Sequence, residues 1–363
     1  MMNLFPSRTV SLYMARLFLV RTFAILAGLV LILQTLDLLS ESASILAYPG
    51  NGQGQVWEYI TLRTPEIIAQ FLPFSVLLGT IITLTTLNQN SEIVALKSSG
   101  MSAHQVLAPL LLASLGVAAL SFAFNDRIVT RATATLDVWQ HVDYAPIPKS
   151  RDERTNVWVR DGENLVRAFE VHGRGAQTQL SQVTVFRRDG GSLTEIISAP
   201  TGERQGNLWV LNDAIGFNVA SRAMERLGNV SFGPEIRPDQ FTLANVNPDG
   251  MSFGALHKAI ADLERAGRPT ENLRGALWHK LSGPLSSVLM PLLGAVAGFG
   301  LARSGKLFVR AVIGMALGFA YFVADNFALA MGNIGAYPPF LAAWAPFLLF
   351  LLVGEAVLFR TEE

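Results

Sequence analysis

Six apolar runs, each long enough to cross a lipid bilayer, constrain this chain more than any other feature. A membrane-crossing helix takes about 20 largely apolar residues. The runs are Leu17–Leu36, Ile67–Leu87, Val106–Phe124, Leu277–Leu301, Val309–Met331 and Phe340–Phe359. The last two are separated by Gly332–Pro339, a short Gly/Pro turn without charge. Charged residues make up 15% of the 363 and the mean hydropathy is +0.36. That is well under the quarter or so of charged residues in ordinary soluble domains. Lys plus Arg and Asp plus Glu both number 28, so no bulk basic field exists to hold nucleic acid. The absence of Cys excludes disulfide frameworks, thiol nucleophiles, iron–sulfur clusters and Cys-based zinc sites.

Orientation follows from Lys and Arg near the run ends. One set of ends holds Arg8, Arg16, Arg21, Lys97, Arg303, Lys306, Arg310 and Arg360. The opposite set, outside the long segment between the third and fourth runs, holds Arg63. This asymmetry puts both termini in the cytoplasm and the long segment outside. A cleaved secretory signal is the weaker reading of the first run. The run is longer than a signal core, and only Ser42-Ala43-Ser44 resembles a cleavage site.

The segment from Asn125 to Gly250 is polar and large enough for an independent domain. Val157 and Val159 alternate with Trp158 and Arg160, Asp161-Gly162 is a hairpin signal, and Leu165–Val171 reads as the return strand. The pattern recurs with Gln182–Arg187, a turn at Asp189-Gly190-Gly191, and Leu193–Ser198. Leu208–Leu211, Ile215–Val219 and Asn229–Phe232 continue it. Short strands at this spacing predict an antiparallel sandwich or roll. Such a sheet can take an acyl chain between its faces, offer an edge to another sheet, or serve as a plain external cap.

Two connecting segments predict helices. In Ser252–Arg265, Phe253, Leu256, Ile260 and Leu263 share a face, and Gly267 and Pro269 stop the helix. It is expected to lie against the sheet domain or the outer membrane face, with Trp278 and Lys280 as interfacial anchors for the fourth run. Asn88–His104 predicts a short stiff helix over about 91–100. Ser91 is its cap, Glu92 and Lys97 suit its two ends, Gly100 stops it, and Ser102 with Gln105 forms a capping box for the next run. A rigid helix there can transmit a push from a cytoplasmic partner; otherwise it is a capped turn.

A carboxylate in mid-bilayer costs about 2.5–3.5 kcal/mol on insertion scales, so each one needs a reason. Gln34 and Asp37 lie at the outer end of the first run, Asp325 and Asn326 in the fifth, and Glu355 near the inner end of the sixth. Asp37 and Asp325 face a polar cavity or an inter-helix contact. Otherwise Asp37 sits at headgroup level and Asp325 is a paired structural acid. The sequence has no Gly-rich phosphate loop with Lys and Ser/Thr, no His pair at ligand spacing, and no nucleophile elbow. No catalytic site, metal site or bound cofactor is therefore expected.

The layout and motifs resemble the lipopolysaccharide export permease family, LptF/LptG. Asn90–Ser102 resembles the family's Ser-Glu-(apolar)…Ser-Gly coupling helix. Met251-Ser252 through Gly267 resembles its helix after the β domain. Trp278-His279-Lys280 with Pro284-Leu285 resembles the entry to its fourth span. Tyr321–Asn326, Gly335–Pro339 and Asp37 resemble the LptG branch more than LptF. The resemblance implies six transmembrane helices with an inserted all-β periplasmic jellyroll-like domain. It divides the chain into 1–124, 125–250 and 251–363. It implies a non-catalytic permease subunit that extracts lipopolysaccharide from a Gram-negative inner membrane and passes it to a periplasmic bridge. The implied partners are an LptF-like second permease, an LptB-like ATPase dimer that binds the ATP and Mg, and an LptC-like anchored jellyroll protein. Ser91, Glu92, Lys97 and Gly100 would couple to the ATPase. Gln34, Asp37, Asp325 and Asn326 would lie at the lipid gate or cavity between the first and fifth spans. Some relatives place Lys residues around the outer first span, whereas Gln34–Glu41 here holds none. Either the partner supplies that charge or the native lipid carries fewer phosphates. The rival expectation is a membrane sensor with an external β domain that signals through a partner.

Overall fold

The computed structural model describes residues 6–146, 154–173, 178–234, 236–238, 241, 247–265, 269–298 and 307–360. Two compact units emerge, one from residues 1–145 and 248–363, the other Pro146–Asn247. The first is helical: α1 Arg8–Ala47, α2 Gln53–Gln89, α3 Glu92–Ser98, α4 Ala103–Phe124 and α5 Thr130–His141 precede the β unit. After it come α6 Phe253–Arg265, α7 Glu271–Gly298, α8 Leu307–Asn333 and α9 Pro339–Arg360.

Among the described residues, five helices are long and apolar enough to cross a membrane: α1, α2, the continuous stretch Ala103–His141, α8 and α9. The expected fourth span falls in α7, which runs 28 residues but carries His279, Lys280 and the buried Ser282, Ser286 and Ser287. Residues 299–301 of that run lie outside the described residues. The count of six therefore stays an expectation.

The domain boundary expected at Asn125 lies at Pro146 instead. A single π turn, Asn125–Val129, carries α4 into α5 without a break. The reason is amphipathicity. Val129, Ala132, Leu136 and Trp139 recur at helical spacing and are buried, and α5 packs along α2. Arg127, Arg131 and Gln140, which mark this stretch as non-spanning, stay exposed.

In lipid, apolar burial does not drive helices together, so close packing and polar links must. The helical core joins Phe18, Leu77, Leu84, Leu107 and Leu293 from four helices. Gly79 lets α1 approach α2 so closely that a Cβ there would lie 2.3 Å from Thr22 Oγ1 and 3.0 Å from the Thr22 Cα. Gly318 does the same for α8 against Leu77 of α2. Helix α6 buries Leu256, Ala259, Ile260 and Leu263 and packs on α7. Its first backbone N–H donates to Asp126, and Glu264 accepts from Arg274 Nε at 2.7 Å and from Thr270. The Arg274 hydrogen bond holds the Glu264 carboxyl below its ordinary value.

The β unit is one six-stranded antiparallel sheet in sequence order: β1 Arg154–Asp161, β2 Asn164–His172, β3 Gln179–Asp189, β4 Ser192–Gln205, β5 Leu208–Asn218 and β6 Met224–Phe232. Among the described strands there is no crossover to a second layer. The turns expected at Gly162 and Gly190-Gly191 are two-residue loops closed by Asp161↔Asn164 and Asp189↔Ser192. Both loop glycines of the latter have positive φ, as a type I′ turn requires. One face buries Val159, Val166, Val185, Ile197, Trp209 and Leu211, with Phe241 covering Trp209 edge-on at 5.1 Å. The ladder breaks along one line, at Phe169, Gln182, Pro200 and Asp213. Pro200 has no N–H to donate, and Gln182 and Asp213 take left-handed conformations. The two strands expected at Leu208–Leu211 and Ile215–Val219 are thus one strand, β5, with a bulge between.

Candidate functional site

The short helix α3 is fixed at both ends. Its first turn holds Glu92 and its last Lys97, each matching the sign its helix end favours. Gly100, at φ +90°, turns the chain out of it. Ser102 accepts from the Gln105 N–H at 3.2 Å while Gln105 accepts from the Ser102 N–H at 3.0 Å, which is the expected capping box. Ser91 departs from expectation. It sits at φ +61° and its side chain makes no cap hydrogen bond. The sharp reversal out of α2 needs a left-handed residue there, and that backbone carries the hydroxyl away from the N3 amide. Ile93, only 3% exposed, pins α3 to the helical core, while Val94 and Ala95 stay exposed. Glu92 Oε1 accepts from Tyr13 of α1 at 3.4 Å and from Asn90 at 3.2 Å. Nearby, His104 Nε2 of α4 lies 3.3 Å from Glu355 of α9.

At the other end of the helices, Gln34 and Asp37 make hydrogen bonds to α2. Gln34 accepts from Thr64 at 3.1 Å. Asp37 accepts from Tyr59 at 2.7 Å and from Arg63 Nε at 3.2 Å. Arg63 also pairs with Glu66 at 2.7 Å. The Arg63 charge is therefore already held by two carboxylates. Tyr144, beyond α5, donates to Glu41 at 2.8 Å, and burial first, then that bond, pushes its hydroxyl up to about 12. Asn51 donates to the Ile45 and Tyr144 carbonyls, closing the α1–α2 connection.

Asp325 and Asn326 lie elsewhere, at a cavity of about 820 Å³ walled mainly by α2, α7 and α8. Asp325 is 8% exposed, and its Oδ2 is 3.9 Å from His279 Nδ1, too long for a hydrogen bond. Its Oδ1 has no hydrogen-bond partner, and the hydroxyl of Tyr321, one turn earlier on α8, has the Ser286 side chain beside it. Asn326 is exposed at the rim and donates to the Phe322 carbonyl. Glu66 also lines the rim, so the chain Tyr59–Asp37–Arg63–Glu66 runs from α1 to the cavity edge. A second hollow, about 950 Å³, lies on the β unit along its line of bulges, with Arg167, Phe169, Ile215 and Arg226 in its wall.

Comparison with known proteins assigns this combination. Residues 12–360 match the family model of the lipopolysaccharide export system permease LptF/LptG. The chain belongs to the LptF/LptG family. It is 23% identical over 321 residues to the lipopolysaccharide export system permease protein LptG of Escherichia coli (strain K12), covering 86% of this chain and 87% of that protein. It is 22% identical over 372 residues to the LptG protein of Haemophilus influenzae, covering 98% and 99%.

Several residues of this LptF/LptG chain that shape the sites were not singled out by sequence. Tyr321 stands four residues before Asp325, a helical spacing that puts both on one face. Arg63 carried a signal as the isolated cation at its set of ends. Tyr59, Thr64 and Glu66 follow from it only once α1 and α2 are known to be antiparallel neighbours. His279 was noted only as part of the fourth-span entry, and nothing in the sequence pairs it with Asp325.

Proposed function

We propose that this chain is the transmembrane, non-catalytic subunit of an ATP-driven exporter that lifts lipopolysaccharide out of the inner membrane. Its partners are a second LptF-like permease, an LptB-like ATPase dimer that binds ATP and Mg, and an LptC-like anchored protein. Both termini face the cytoplasm and the β unit faces the periplasm, where it receives lipid for the bridge to the outer membrane. Membership of the permease family and the similarity to two LptG proteins support this reading. The observation that carries the coupling is α3, a helix stapled to the core by Ile93 that leaves its Val94–Ala95 side exposed. A partner ATPase closing on that side pushes a rigid element, not a floppy loop. The hydrogen bond from Tyr13 to Glu92 passes part of the displacement to α1. Movement of α1 and α8, facing the same helices of the second permease, then narrows the lipid gate near Gln34, Asp37, Asp325 and Asn326.

The test is purification from native membranes in mild detergent, followed by reconstitution. A soluble ATPase and a second permease of similar layout should co-elute. Glu92→Lys should retain the complex and ATP hydrolysis but lose lipid release by at least ten-fold. Normal release by that variant at normal protein level would remove Glu92 from the coupling.

A further inference from the structure

The β unit departs from the rule for an antiparallel sheet with one buried face. In such a sheet the residues between the buried ones point outward and are polar. Here Val166, Val185 and Ile197 are buried, and the register aligns the outward residues Leu165, Phe186, Ile196, Phe217 and Met224 in one row from β2 to β6. The row crosses four inter-strand spacings, about 19 Å. Met224 is 77% exposed and the other four are partly exposed. The next outward row is Trp158, Arg167, Thr184, Ser198, Ile215 and Arg226. Trp158 stacks on Phe186 at 5.5 Å, so the two rows form one surface. Both faces of the sheet are therefore apolar at the end that carries the hairpin loops at Gly162 and Gly190-Gly191. A contiguous exposed apolar surface of this kind marks an interaction site.

The charges narrow the occupant. The two rows carry Arg160, Arg167 and Arg226 and no carboxylate. Alternation puts Glu195 and Glu225 on the opposite face, and Glu195 is held there by Arg187. The hollow at the bulges adjoins the second row, with Arg167, Thr184, Ser198 and Arg226 in its wall and Asp213 as the acid among them. A second copy of this face would set Arg against Arg. An acyl chain needs an enclosing wall, and none of the five apolar residues of the first row lines the hollow. A protein face with an apolar ridge, and carboxylates beside it that enter the hollow, meets both features. Aromatic residues, Met and Arg are the types enriched where proteins meet. Arg167 already lies over the Trp158 ring at 5.8 Å, which presents its guanidinium beside the apolar row.

We propose that the outward face of the sheet, at its hairpin end, docks a second protein. The partner's apolar ridge covers Leu165, Phe186, Ile196, Phe217 and Met224, and its carboxylates pair with Arg167 and Arg226. This surface rests on the β unit alone and stands apart from the lipid-export reading.

The test places p-benzoylphenylalanine at Met224 of the full-length chain in its native membranes. Adducts formed on irradiation are identified by mass spectrometry. A second protein should be captured through a peptide that combines apolar side chains with Asp or Glu. The yield should exceed that of the same probe at Gln205, an exposed position at the other end of the sheet. Arg226→Glu should lower the yield about ten-fold, about 1.4 kcal/mol, because it sets like charges against each other. Arg226→Lys keeps the charge and should leave the yield nearly unchanged, which guards against misfolding. An adduct to lipid, to another part of this chain or to a second copy overturns the proposal. So does a yield no higher than at Gln205, a captured peptide without Asp or Glu, or a protein adduct that Arg226→Glu leaves unchanged.

Discussion

Replacing Asp37 separates a helix-tying role from a headgroup-contacting role. Asp37 accepts from Tyr59, whose ring and hydroxyl are buried, and pairs with Arg63, about a third of whose side chain is exposed. Removing the carboxylate strands the Tyr59 hydroxyl, which costs about 1–3 kcal/mol in soluble proteins. Polar contacts in membrane proteins average about 0.6 kcal/mol with a maximum near 1.7, because the unfolded chain in lipid also finds partners. The Tyr59–Asp37 coupling is therefore about 1 kcal/mol. The partly exposed pair with Arg63 adds about 0–1 kcal/mol, since Arg63 retains Glu66. Asp37→Ala should thus destabilise the helical unit by about 1–2 kcal/mol. Asp37→Asn keeps an acceptor for Tyr59 and should cost less than about 1 kcal/mol. The assay is equilibrium unfolding of the purified chain in mixed micelles, with a double-mutant cycle against Tyr59→Phe. Equal losses for Ala and Asn, or strict additivity with Tyr59→Phe, would refute the helix-tying argument and return Asp37 to the lipid.

Three further outcomes follow from the packing. Gly79→Ala drives a Cβ into Thr22, backbone included, and should cost about 1–3 kcal/mol in the same unfolding assay, whereas Gly28→Ala, which meets nothing within 4 Å, should not destabilise. Trp209→Ala empties the centre of the β unit, removes its Nε1–H donation to the Ile236 carbonyl, and should cost that unit about 3–5 kcal/mol, seen as new protease cleavage within residues 154–232. Glu264 is held below its ordinary value, so its bond to Arg274 stabilises the fold above that value and fades as pH falls through the lowered one. Wild type should melt slightly above Glu264→Gln at pH 7, and the two should converge as the pH falls below that lowered value, measured by thermal scanning.

Much of the architecture was legible because lipid imposes a strict rule. Backbone polar groups must be satisfied inside a helix, so long apolar runs name their own structure, and α1, α2, α8 and α9 contain the runs expected of them. The hairpins at Gly162 and Gly190-Gly191 were equally readable, since positive φ restricts the residues that can occupy such turns. The boundary at Asn125 was misplaced because hydropathy drops where α4 enters α5, although one face of that extension remains buried. The bulge at Asp213 was hidden because two short alternating stretches on one bent strand look like two strands. At the sites, the ends of α3 were local and mostly readable from Glu92 to Gln105. Ser91 was not, because the left-handed turn at that residue overrides its capping preference.

The sequence alone determined that the chain is a helical membrane protein with a β insertion, where its short connecting helix lies, and which family it resembles. Those conclusions rest on periodicity, length and turn chemistry, which act between near neighbours in the chain. Only the tertiary structure decided what the polar residues at membrane depth do. It gave Gln34 and Asp37 to α2, and it left the Asp325 Oδ1 without a hydrogen bond at a cavity. A buried polar group is defined by what lies within about 3 Å of it, and residues tens or hundreds of positions away supply that.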